Sequence, residues 1–173
     1  MTFRFIINKC HQGLIFLQKW VLIVASILIM LGICTQAACR YLFQIDFYGL
    51  EEVIILVAFW MYFFGGSYGS YERSHITADI VTVYVTNEKL KRILMLISSL
   101  ITTVICLVFT YWAYGLFIWG IEKMARTPVL EIPMVLSQSS IFAGFILMSL
   151  YSTIYLVEDI KEYRHRFKVR SEN

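Results

Sequence analysis

Charge is what this sequence is short of. Only 16% of its 173 residues are Asp, Glu, Lys or Arg, against about 25% in a soluble domain whose surface must meet water. Fifteen basic and twelve acidic side chains cannot coat a globule of this size, so a water-soluble enzyme is excluded. Two prolines and nine glycines are too few for a collagen-like or disordered chain. The three histidines, His11, His75 and His165, all fall outside the apolar stretches, so no pair of them can hold a haem across a helix bundle. Of the four cysteines, Cys10, Cys34, Cys39 and Cys106, no two form a C-x-x-C pair, which removes a thiol redox centre. A metal-ligand set, a Gly-rich phosphate loop and a nucleophile motif are missing as well. The expectation is a protein without catalytic residues, cofactor or metal. A net charge of +3 is too small to imply nucleic acid.

What the chain has in abundance is apolar length: 59% of it is hydrophobic. Four stretches lack any Asp, Glu, Lys or Arg, namely 21–39, 53–71, 93–119 and 135–157. Each matches the roughly 20 residues needed to cross the hydrocarbon core of a bilayer, where backbone amides must be satisfied within the segment and helix is the expected state. The fold expected is therefore all-α: one integral membrane domain spanning residues 1–173, with four transmembrane helices. The first span follows a basic start, as in a signal peptide, but its full bilayer length marks it as a retained helix. Lys and Arg then set the orientation. Twelve of them flank the N-terminal, middle and C-terminal segments, and only Arg40, Lys123 and Arg126 lie on the other side, which predicts cytoplasmic termini.

The connections 40–52 and 120–134 are too short to fold a capture domain. In the remaining connection, Ile76, Ile80, Val83 and Tyr84 recur at helical spacing, predicting a short interfacial helix over about residues 74–88 with Ser74 as its cap. Small residues repeat along every span: Ala25, Gly32, Thr35 and Cys39; Gly65, Gly66, Gly69 and Ser70; Ser99, Thr103, Cys106, Thr110 and Ala113; Ser137, Ser140, Gly144 and Ser152. Helices in lipid associate by close approach at such residues, so these seams either pack the four helices together or receive another subunit. The spans carry no charged residue near the bilayer centre, where a transporter handling its own ion needs one. Acidic residues instead sit at the ends, Glu51 and Glu52 at one mouth of the second span and Glu72 and Asp79 at the other. Arg40 lies at the depth of Glu51 and Glu52 and can form an interfacial ion pair with them. Trp20, Tyr41, Phe43, Tyr48 and Trp119 mark the interfaces as amphipathic rings do.

Three groups of residues, in this order, make the chain resemble the small membrane (Q-type) subunit of tripartite ATP-independent periplasmic (TRAP) transporters. Arg40-Tyr41 closes the first span ahead of the pair Glu51-Glu52. Gly65-Gly66 is followed by Glu72, Arg73, His75, Ile76 and Asp79. Arg126-Thr127-Pro128 and Glu131-Ile132-Pro133-Met134 then lead into the fourth span with Gly144. Glu131 departs from the family pattern, which often has a small residue there. The resemblance implies a multi-pass protein of the bacterial inner membrane that braces a large transport subunit and helps a periplasmic substrate-binding protein dock transiently. The system it implies takes up organic acids such as C4-dicarboxylates or sialic acid by sodium symport. Arg40, Glu51, Glu52, Gly65, Gly66, Glu72, Arg73, His75, Asp79 and Gly144 become candidates for subunit contact or anchoring. Lys123, Arg126, Thr127, Pro128, Glu131 and Pro133 become candidates for a docking face on the outer side, where a rigid connector with solvated charges is the plainer alternative. The competing function is a self-sufficient homo-oligomeric transporter or channel.

Overall fold

The computed structural model describes residues 2–45, 47–72 and 88–171. Four helices account for nearly all of them: α1 (Thr2–Leu42), α2 (Tyr48–Tyr71), α3 (Glu88–Lys123) and α4 (Val135–Ser171). Each holds one segment long and apolar enough to cross a membrane: Gly13–Leu42, Tyr48–Tyr71, Ile93–Lys123 and Val135–Lys161. The interfacial helix expected over 74–88 lies outside the described residues, as do Arg73, His75 and Asp79.

Three of the helices outrun their apolar segments. A helix rises about 1.5 Å per residue, so the 41 residues of α1 and the 37 of α4 are far longer than a bilayer core is thick. The basic stretch after the fourth span is thus a continuation of α4 through Ser171. At the opposite end, α1 stops where Gln44 turns left-handed at φ 55° and the Ile45 N–H returns to the Cys39 carbonyl at 3.1 Å. Left-handed Met124, φ 46°, stops α3 in the same way, its N–H on the Gly120 carbonyl at 3.1 Å. The helical path therefore ends ahead of Pro128; the prolines shape the connection but do not terminate the span.

The helices form an open row. α1 packs on α2, α2 on α4, and α4 on α3; among the described residues no other pair of helices brings Cα atoms within 8 Å. A compact protein of 20.2 kDa would expose roughly 8,800 Å², whereas this chain exposes 12875 Å². Among the described residues the only buried apolar side chains are Ala25, Ala113 and Tyr151. Residues such as Ile27, Leu31, Val104 and Leu107 face outward, which lipid tails accept without penalty because they are as apolar as the side chains themselves.

What joins the row is small and polar. Gly144 is buried on Phe63: a Cβ there would lie 2.7 Å from the Phe63 Cβ and 3.0 Å from its carbonyl oxygen. Backbone thus meets backbone where α4 crosses α2. Between α3 and α4, the Thr103 hydroxyl reaches the Ser152 carbonyl at 3.2 Å and the Thr110 hydroxyl the Phe145 carbonyl at 3.1 Å. Both hydroxyls also bond one turn back on their own helix, to the carbonyls of Ser99 and Cys106 at 2.8 and 2.7 Å. Phe109 stacks on Phe145 beside the second of these bonds, and Phe117 on Phe142 farther along the same contact. Thr103→Val and Thr110→Val each remove the hydroxyl and with it one interhelical bond, and are each expected to cost only about 0.6 kcal/mol, a typical interhelical bond in membranes. A chemical-unfolding series in mild detergent measures this.

Candidate functional site

Two polar assemblies occupy opposite ends of the row. At the end carrying the chain termini, α1, α2 and α4 meet around Gln18, which is 1% exposed. Its amide donates to the hydroxyl of Ser67, itself 0% exposed, at 2.5 Å, and its carbonyl accepts from the Tyr151 hydroxyl at 3.4 Å. One turn away the Tyr155 hydroxyl donates to the Tyr71 carbonyl at 2.5 Å, satisfying one of the open carbonyls at the end of α2. The Tyr68 hydroxyl bonds Glu72, and Lys19 Nζ lies 5.5 Å from the centre of the Tyr68 ring. Every buried polar atom of the Gln18 cluster finds its partner inside the chain, so the cluster is a clasp that holds α1 to its neighbours.

The other assembly is built from the segment 124–134 between α3 and α4, which folds as a strap over the start of α2. Pro128 fixes φ and removes a donor at the bend. The two limbs then pair: Arg126 and Pro133 form an antiparallel bridge, Thr127 N–H donates to the Ile132 carbonyl at 3.0 Å, and Met134 N–H to the Ala125 carbonyl at 2.9 Å. The Ile132 N–H is taken by the Thr127 hydroxyl oxygen at 3.0 Å. Glu131 is left-handed, φ 53°, a conformation that a glycine or asparagine adopts with less strain. That is the position where the resembling family often has a small residue.

Glu52 binds this strap to α2. Its two carboxylate oxygens accept the Val129 N–H at 2.8 Å and the Leu130 N–H at 2.9 Å, and the Thr127 hydroxyl hydrogen-bonds it as well. Alongside, buried Gly49 admits the Leu130 side chain, whose Cγ lies 3.0 Å from where a Cβ would stand. On the exposed side of the strap Arg126 and Glu131 pair at 3.6 Å, their side chains 60% and 74% exposed. An ion pair this open to solvent contributes little stability.

The candidates named from sequence are therefore divided. Glu52, Arg126, Thr127, Pro128, Glu131 and Pro133 come together in one assembly, with exposed Lys123 at the end of α3 beside it and exposed Glu51 on the first turns of α2. Arg40 is exposed near the end of α1. Gly65 and Gly66 face different helices, Leu22 of α1 at 3.5 Å and Met148 of α4. Gly144 is inside the α2–α4 contact, and Glu72 is at the far end of α2 beside Tyr68. Gln18, Ser67, Tyr151 and Gly49 carry no mark in the sequence strong enough to single them out. Gln18 sits just ahead of the first uncharged stretch, and the amides of Val129 and Leu130 have no side-chain signature at all. Among the described residues no three of His, Cys, Asp and Glu gather as a metal site would require.

No curated protein sequence matches the chain. One family does, described as tripartite ATP-independent periplasmic transporters, DctQ component, and it covers residues 29–162. That range takes in all of α2 and α3, the strap, Glu52 and the Gly144 crossing. A component of this family is a multi-pass protein of the inner membrane, in keeping with four apolar helices. The chain belongs to the DctQ component family of the tripartite ATP-independent periplasmic transporters.

Proposed function

We propose that this chain is the non-catalytic small membrane subunit of such a transporter: it braces the large transport subunit and helps the periplasmic substrate-binding protein dock, in sodium-coupled uptake of an organic acid such as a C4-dicarboxylate or sialic acid. The observation that carries this is the open row. A chain that moved cargo by itself would need an enclosed path and an ionisable group within it, and here the helices lie side by side with apolar side chains facing outward. Twelve of the fifteen basic residues belong to the segments at the termini end, which favours cytoplasmic termini and a strap facing the periplasm. Arg40, Glu51, Glu72, Arg73, His75 and Asp79 belong in this scheme to the two interfacial layers, where they anchor the row or meet the large subunit.

The test is reconstitution. Co-expressed with its large subunit, the chain is expected to elute with it as one species in mild detergent or nanodiscs. Liposomes holding this chain alone are expected to show no uptake above that of empty vesicles. Separate elution would remove the bracing role, and uptake by the chain alone would establish the homo-oligomeric transporter instead.

A further inference from the structure

The strap's internal hydrogen bonds leave the two N–H groups at its tip without acceptors of their own. Those of Val129 and Leu130 project toward α2, where the Glu52 carboxylate takes one on each oxygen at 2.8 and 2.9 Å. Paired successive amides on one carboxylate form a charge-assisted, directional contact about twice as strong as neutral hydrogen bonds. Opposing it are two left-handed residues that are not glycine, Met124 and Glu131, each costing on the order of 1–3 kcal/mol. The strap's own hydrogen bonds offset part of that strain, and the Glu52 carboxylate adds two more from α2. Gly49 completes the seat by letting the Leu130 side chain approach the α2 backbone. One acidic side chain on α2 thus decides where the α3–α4 connection sits, and with it the exposed Arg126–Glu131 pair and the half-exposed tip residues Val129 and Leu130.

We propose that Glu52 is a positioning residue for docking: by latching the strap it presents a preformed surface to the soluble binding protein, so that no loop has to be ordered at the moment of encounter. This rests on the docking role proposed above. Preorganisation of this kind lowers the cost of association, and its loss is read as weaker engagement with no change in the transport step.

The experiment uses the full transporter in proteoliposomes, with uptake measured against binding-protein concentration. Glu52→Gln keeps the side chain's shape and one acceptor but turns an NH2 group toward a backbone N–H. It is expected to raise the half-saturating concentration of binding protein about tenfold, leaving maximal uptake and co-elution with the large subunit unchanged. In a chain whose native cysteines are replaced by serine, Gly49→Cys and Leu130→Cys added to Glu52→Gln allow a disulfide to replace the latch. Oxidation is expected to restore the original half-saturation, and reduction to abolish it again. Arg126→Ala with Glu131→Ala alters the strap's exposed face while leaving the latch, and is expected to weaken engagement by itself.

If the face variant weakens engagement and Glu52→Gln does not, the latch is wrong and the docking role stands. If neither changes it, the docking role fails and the latch with it. Loss of maximal uptake or of co-elution at unchanged half-saturation would make Glu52 merely structural. Failure of the oxidised bridge to restore engagement would show that the charge of Glu52, and not the strap's position, is what counts. Should Glu52→Gln assemble poorly, the oxidised triple variant is compared with its reduced form in the same way.

Discussion

Gly144→Leu is expected to abolish the assembled subunit, leaving little monodisperse protein in mild detergent. Even a single added carbon at position 144 would stand 2.7 Å from the Phe63 Cβ and 3.0 Å from the Phe63 carbonyl oxygen. Part of that obstacle is backbone, which cannot rotate aside, so the two helices must separate. Overpacking a close contact costs about 1–3 kcal/mol even where side chains can adjust, and leucine adds three further carbons at a crossing that has no room to repack. The crossing belongs to the α2–α4 contact, which together with the Tyr151–Gln18 hydrogen bond joins the α1–α2 and α3–α4 halves of the row. Gly65→Ala is the control: its Cβ would meet only the Leu22 side chain, at an ordinary 3.5 Å, and near wild-type yield is expected. Gly66 falls between the two, because the atom that a Cβ would meet is the flexible end of Met148. Normal yield and melting temperature for Gly144→Leu would mean that the α2–α4 crossing is not what holds the row together.

Ser67→Leu is expected to release α1. Ser67 is fully buried, and its hydroxyl is the acceptor for the Gln18 amide. Leucine would occupy the space of that amide and leave it without a partner in an apolar environment, a penalty of about 1–3 kcal/mol before any steric cost. Further along, α1 meets α2 through small residues: Ala25 is buried, and Gly32 admits Ile54 closely. The readout is a disulfide between Ser26→Cys and Met61→Cys, positions whose side chains touch at 3.4 Å across the α1–α2 contact. It is expected to form quickly in the otherwise natural sequence and several-fold more slowly with Ser67→Leu. Ser67→Ala, which removes the acceptor without adding bulk, is expected to slow it less. Equal rates in all three would show that the clasp does not position α1.

The four helices were legible in the sequence for a reason that needs no tertiary information. Apolar length free of charge has one stable form in a bilayer, and each uncharged stretch became a helix. Their ends were less legible, because a helix can outrun the membrane: α1 begins at Thr2 and α4 continues to Ser171. The small-residue seams were visible, yet their partners were not. Periodicity states that a face is close-packed without naming its neighbour, and only the tertiary structure pairs Thr103 and Thr110 with α4 and sets Gly65 and Gly66 against different helices. The strap was half legible. Its two prolines and its Arg126 and Glu131 pair announce a turn, while the residue that seats it stands 75 or more positions earlier in the chain. Glu52 read as one of two acidic residues at a helix mouth, a place where charge is common and Arg40 offered itself as the partner.

Composition and order of residues determined that this protein lives in a bilayer, crosses it four times, lacks a charge deep in its spans, and resembles a small transporter subunit. They did so because hydration of charge and burial of apolar length are local properties, summed segment by segment. Only the tertiary structure decided that the helices stand in a row with α4 between α2 and α3, that Gln18 clasps three helices, and that Glu52 holds the strap by backbone amides. Those outcomes depend on which surfaces meet, and backbone donors, the same in every residue but proline, leave no trace of their partners in a sequence.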